Sequence, residues 1–78
     1  MKEKIISIKS LNDVYNFISK AQTVEGDITI KRGRYCVDAK SVLGVFSVDM
    51  SQDVTVIYPD TAMEFDEFCE QFKVSNWV

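Results

Sequence analysis

Of the side chains able to act as nucleophiles or proton shuttles, the 78-residue chain holds two cysteines, Cys36 and Cys69, several serines and scattered carboxylates, but no histidine. With no imidazole to take its proton, neither a cysteine nor a serine has the usual general base of covalent catalysis. The two cysteines stand far apart, so they do not make the closely spaced thiolates of a zinc site. Asp49, Asp53, Asp60 and Asp66 are spread over expected loops and caps, and no pair is placed for acid-base work. The expectation is a protein that is not an enzyme and needs no metal and no cofactor.

Two stretches carry more. "KRGRY", residues 31 to 35, is the one basic cluster, with Tyr35 beside it, in a chain of net charge -3. A solvated turn explains it better than an RNA contact, because a nucleic-acid binder normally presents a broad basic face to phosphates. The second stretch is "DAKSVLGVFSV", residues 38 to 48. Its Val and Phe content suits a strand, yet a strand would set Gly44 on the same face as Val42, Phe46 and Val48 and waste a core position. Read as a short helix started by Ser41, it places Val45 and Val48 on one side, while Val42, Leu43 and Phe46 wrap toward another. The helix is the better reading, and its second apolar side is a candidate partner surface with Phe46 as the strongest anchor.

These residues need elements to hold them. "EKIISIK", residues 3 to 9, alternates with the period of a half-buried strand, Ile6 and Ile8 on one face. Leu11, Val14, Phe17, Ile18 and Ala21 recur at helical spacing behind Ser10, which with Asp13 resembles a capping box. Two alternating runs, Ile28/Ile30 and Tyr35/Val37, flank Lys31-Arg32-Gly33-Arg34 and predict a hairpin of strands near residues 26 to 31 and 34 to 38. A fourth strand near residues 53 to 58 stops at Pro59. A last helix from Thr61 to about Lys73 carries Ala62, Phe65, Phe68, Cys69 and Phe72 on one face, with Thr61 and Glu64 as a capping box and Lys73 in the last turn. Both cysteines are expected as small buried hydrophobes and inert.

The chain length predicts one small domain, residues 1 to 78, near the lower limit for a single unstapled core. Hydrophobic residues are 46% and charged residues 27%, which is ordinary globular usage rather than that of a disordered chain. No secretory leader pattern and no apolar run of about 20 residues is present, so a soluble protein of a reducing cytoplasm is expected, with no membrane partner.

The order β-α-β-β-α-β-α, with "DAKSVLGVFSV", resembles the HPr family, the small phosphocarriers of the bacterial sugar phosphotransferase system. The family segment reads close to Ala-Lys-Ser-Ile-Met-Gly-Leu-Met-Ser-Leu, and Ala39, Lys40, Ser41, Gly44 and Ser47 match it. The resemblance implies an α+β fold: an open-faced β-sandwich whose four-stranded antiparallel sheet carries three helices on one face. It also implies that Val42, Leu43 and Phe46 dock on protein partners and that Ser41 is the serine phosphorylated by HPr kinase. Those partners would be phosphotransferase-system components, the kinase or a transcriptional regulator.

The family passes phosphate through a histidine in a motif like Gly-Leu-His-Ala-Arg-Pro at the start of the first helix. In this chain Ser10 stands near the histidine and Asn12 near the arginine. A serine ester does not readily give its phosphate up again, so the resemblance is to a histidine-lacking, Crh-like branch whose phosphocarrier site is degenerate, and Ser10 reads as a helix cap. Such relatives can exchange their first strand, so the resemblance allows a monomer or a strand-exchanged dimer. The expected function is non-catalytic partner binding under control of Ser41. The alternatives are a phosphocarrier with an unusual acceptor and an interaction domain unrelated to sugar uptake.

Overall fold

A computed structural model describes residues 1–74. The elements follow the expected order: β1 (Lys2–Ile6), α1 (Leu11–Gln22), β2 (Thr29–Arg32), β3 (Tyr35–Asp38), α2 (Val42–Phe46), β4 (Val54–Tyr58) and α3 (Met63–Glu70). The strands form one antiparallel sheet in the order β1-β4-β2-β3, with Ile6 opposite Val54, Ile30 opposite Val56, and Ile30 opposite Val37. Strand alternation puts Ile6, Ile30, Val54, Val56 and Tyr58 on one face, where all are buried. The helices cover that face, through Val14, Phe17, Ile18 and Ala21 of α1, Val45 of α2, and Phe65 and Cys69 of α3. Phe65 meets Phe17 and Tyr58 at ring-centroid distances of 5.5 Å each. The residues 41–48 segment is a helix and not a strand.

The hairpin between β2 and β3 turns through Gly33, whose φ of 58° lies in the left-handed region that favours glycine. Ile28 precedes β2 and Ile8 follows β1, yet both are buried, Ile8 because its N–H donates to the Met50 carbonyl at 2.7 Å.

Several expectations need correction. Leu11 is 62% exposed and is no core residue: helical spacing sets it on the side of Val14 and Ile18, but it is the first residue of α1, where the core stripe runs out into solvent. The start of α3 falls at Met63, after the N-cap Ala62, and no side chain caps it. Thr61 is used in the turn after Pro59, where its carbonyl accepts from Met63 N–H at 2.9 Å while Ala62 N–H donates to the Pro59 carbonyl at 3.0 Å. At the other end α3 stops at Glu70, so Lys73 is not in its last turn. Lys73 instead bridges to Ile6, and Val74 N–H donates to the Ile5 carbonyl at 2.9 Å, so residues 73 and 74 lie along the outer edge of β1. Phe68 is half-buried, stacked edge-on to Phe72 at 5.5 Å.

One inward position is not apolar. Lys4 lies opposite Val56, on the same face as Ile6, with its side chain only 9% exposed. Its ammonium donates to Asp66 Oδ1 at 2.9 Å and to the Asp66 carbonyl at 3.1 Å, and pairs with Glu70. The buried Tyr58 hydroxyl donates to the same Asp66 oxygen. Burial alone would discharge Lys4, but the bonds to Glu70 and Asp66 outweigh it and raise its pKa above the ordinary lysine value. Burial and the Asp66 bond push Tyr58 up to about 12. Hydrogen bonds from Tyr58 and Lys4 hold Asp66 below the usual carboxylate range, and Lys4 does the same for Glu70.

Depressed carboxylates stabilise the fold above their unfolded pKa near 4 and lose that contribution as pH falls through the folded values, while the raised Lys4 contributes fully until pH rises past about 10.5. The clamp is therefore complete between about pH 5 and pH 10. Lys4→Met, which keeps the bulk and removes the charge, is expected to lower stability at pH 7 by about 1–3 kcal/mol in urea titrations. The difference from the unsubstituted protein should shrink as pH drops below about 4. Equal stability at pH 7, or a difference that persists in acid, would count against the clamp.

Candidate functional site

Ser41 sits in extended backbone, φ -95° and ψ 118°, as the N-cap of α2. Its Oγ accepts from Gly44 N–H at 3.1 Å, and its carbonyl accepts from Val45 N–H at 2.9 Å. Gly44 eases a close approach: a Cβ there would lie 3.3 Å from both Cβ and Oγ of Ser41. The preceding loop is tied down by Lys40, whose ammonium donates to the Val24 carbonyl at 2.6 Å, and by Gln22, whose side-chain amide donates to the Lys40 carbonyl at 3.1 Å. Five residues give α2 little more than one turn, and Val45 and Val48 take the inward side.

The outward side is apolar as well. Val42 is 43% exposed, Leu43 85% and Phe46 40%. Phe46 packs against Tyr15 of α1 with ring centroids 5.2 Å apart, and Tyr15 and Leu11 are themselves exposed. The structure thus brings the three expected residues of α2 beside two of α1 that the sequence reading did not assign to the site. Their i, i+4 spacing puts Leu11 and Tyr15 side by side on α1, but that they meet α2 follows from the tertiary contact of Tyr15 with Phe46.

Ser10 and Phe46 line one shallow groove of about 320 Å³ between the start of α1 and the end of α2, with Leu11, Val48, Met50 and Ser51. Ser10 is exposed and occupies the N-cap position of α1, but its side chain makes no capping hydrogen bond, contrary to the expected capping box with Asp13. Its carbonyl still accepts from Val14 N–H at 3.1 Å. Asn12 is exposed on the side of α1 away from the core stripe. The floor of the groove is pinned by Lys9 and Ser7, which donate to the Ser51 carbonyl at 2.5 and 2.7 Å. Ser51 in turn donates through its amide and hydroxyl to Asp49 Oδ1 at 3.0 and 2.6 Å, and these bonds lower the Asp49 pKa.

Burial pushes the Cys69 thiol up to about 12, so it is inert as expected. Cys36 departs from the expectation: it is exposed, because its position in β3 points to the open face of the sheet. Among the described residues no group of three His, Cys, Asp or Glu side chains converges on a common point, and no helix is long and apolar enough to cross a membrane.

The sequence matches no protein-family model and no curated protein. Solved structures do match. The crystal structure of HPr-C-His from Thermoanaerobacter tengcongensis is similar over 91% of this chain and 89% of that one, with a TM-score of 0.75 and 25% identity. A phosphocarrier protein HPr from Bacillus anthracis str. Ames is similar over 92% of this chain and 94% of that one, with a TM-score of 0.68 and 20% identity. The architecture described above is the HPr fold, and the chain is HPr-like.

The cap at Ser41 is open to a direct test. Ser41→Ala is expected to cost about 1 kcal/mol in urea unfolding, and Ser41→Asp, which restores an accepting oxygen, to recover most of it. An alanine variant as stable as the parent would show that Oγ does not hold the start of α2.

Proposed function

We propose that this HPr-like chain is a non-catalytic protein of the sugar phosphotransferase type that acts by binding other proteins and carries no phosphate of its own. The observation behind it is the pairing of an exposed apolar surface, Val42, Leu43 and Phe46 with Tyr15 and Leu11, with a groove that Ser10 lines in a chain without histidine. Exposed apolar clusters of this kind mark docking sites, and a partly buried aromatic pair such as Phe46 and Tyr15 makes a natural anchor. The likeness to phosphocarrier structures supports partners of that system, an HPr kinase or a transcriptional regulator, in a bacterial cytoplasm.

The chemistry disfavours a carrier role. A relay needs a phosphoryl group that leaves as readily as it arrives, which a phosphoimidazole provides and a serine ester does not. Cys69 is shut in the core and Cys36 lies on β3, away from the groove. Control would act through Ser41, whose hydroxyl is half-buried at the start of α2. A phosphoryl group there would replace the Gly44 bond with charge beside free N–H groups and place a dianion next to Val42 and Phe46.

Three measurements test this reading. Incubation with labelled phosphoenolpyruvate and the general phosphotransferase enzyme, beside ordinary HPr, should leave this protein unlabelled; label that appears and moves on to a sugar-specific component would establish the carrier instead. Affinity capture with the unsubstituted protein and with Phe46→Asp should differ by the loss of the bound partners. Intact mass after treatment with HPr kinase should show one phosphate that Ser41→Ala abolishes.

A further inference from the structure

The turn between β2 and β3 holds a run of cations that the fold does not use. Lys2, Lys4, Lys9 and Lys40 each reach an acceptor elsewhere in the chain. Lys31, Arg32 and Arg34 are exposed and, among the described residues, their side chains reach neither a carboxylate nor a carbonyl. Like charges held this close repel one another, so an anion brought to the turn is favoured there. The turn closes through Gly33, and Arg32, Arg34 and Tyr35 surround a shallow concavity of about 510 Å³, with the Tyr35 ring 68% exposed.

The position of this turn connects it to the Ser10 groove. Arg32 is paired with Tyr35 and stands two residues beyond the inward Ile30, so both side chains leave the sheet on the face that the helices cover. Lys31 lies opposite Thr55, which sets Arg32 beside the start of β4, and the loop leading into β4 supplies Asp49, Met50 and Ser51 to the groove. The Asp49 carboxyl, held down first by its bonds from Ser51, also feels the charges of Arg32 and Lys9. Apolar anchor site and basic turn thus stand at the same end of the sheet.

The arrangement favours carboxylates over a nucleic-acid backbone. An arginine fork matches a carboxylate with two parallel hydrogen bonds, and two such forks flank Tyr35. Three cations on one turn neutralise few phosphates, and a phosphate chain running on from the turn would meet Asp49 and Asp53 in a molecule of net charge -3.

We propose that the β2–β3 turn is the charged half of the docking surface and receives an acidic segment of the protein partner. Asp and Glu side chains of that segment pair with Arg32 and Arg34, while an apolar side chain of the same segment enters the groove between Ser10 and Phe46. This rests on the docking role proposed above for the α1/α2 surface and adds to it the chemistry of the partner. Charges at the rim of such a surface act mainly on encounter and on the choice of partner.

The probe is a synthetic peptide of Asp and Glu around one central Phe, titrated into isotope-labelled protein while the amide resonances are followed. Resonances of Arg32, Arg34 and Tyr35 should move together with those of Ser10 and Phe46, and the binding should weaken as salt is raised. The variant Arg32→Glu with Arg34→Glu should weaken it by about tenfold or more, and the same peptide with Asn and Gln for Asp and Glu should lose it to a similar degree. Should the double variant fail to fold, Arg34→Glu, which lies in the turn outside both strands, gives the reading. Shifts at the groove alone, or binding indifferent to salt and to Arg34→Glu, would overturn the inference and leave the docking role standing. Shifts at the turn alone would separate the two halves and overturn both. No binding of the peptide would overturn the inference, the docking role then being decided by the capture experiment with Phe46→Asp. A uridine oligonucleotide that holds the turn more tightly than the peptide in the same buffer would overturn it in favour of nucleic acid.

Discussion

A single four-stranded sheet with one apolar face has to be covered from one side, and the number of helical turns available for that cover constrains the rest of the molecule. Helices α1 and α3 each present a full stripe, and Phe17, Phe65 and Tyr58 meet between them. The remaining area, over Ala39 and the β2–β3 half of the sheet, falls to α2, which has five residues. So short a helix inserts Val45 and, just beyond its end, Val48, and has no length left to turn its other apolar residues inward. Val42, Leu43 and Phe46 are exposed because the fold has nothing left to cover them with.

The same one-sided burial explains Lys4. An edge strand must end its apolar row somewhere, and at Lys4 the row ends in a charge that reaches α3. Burying an ammonium there is tolerable only because Asp66, Glu70 and the Asp66 carbonyl accept from it and Tyr58 joins the network. The result is a polar tie between β1, β4 and α3 at the end of the sheet away from the Ser10 groove. The exposed apolar surface of α1 and α2 and the clamp are thus built on different elements.

The groove beside Ser10 lies between the start of α1 and the end of α2 and holds no imidazole. Backbone of the Ser10 type opens a helix whether or not the side chain caps it, and the loop around Ser51 is held by Lys9, Ser7 and Asp49 rather than by any contact to Ser10.

Periodicity was enough to read the element order, the inward residues Ile6, Ile30, Val54, Val56, Phe17 and Phe65, and the two-sided character of α2, because alternation and 3.6-residue spacing are local properties of the chain. The exposed trio of α2 was legible for the same reason: once Val45 and Val48 point in, Val42, Leu43 and Phe46 cannot. The Thr61 cap and the length of α3 were misread because Pro59 had already committed Thr61 to a turn and because β1 draws Lys73 and Val74 away from the helix. Tertiary structure alone decided that Leu11 and Tyr15 join the α2 surface, that Cys36 is exposed while Cys69 is buried, and that Lys4 reaches Asp66 across 62 positions of sequence. Each of these depends on which strand lies at an edge and which helix crosses which, and that information resides in contacts between distant segments, where no local pattern records it.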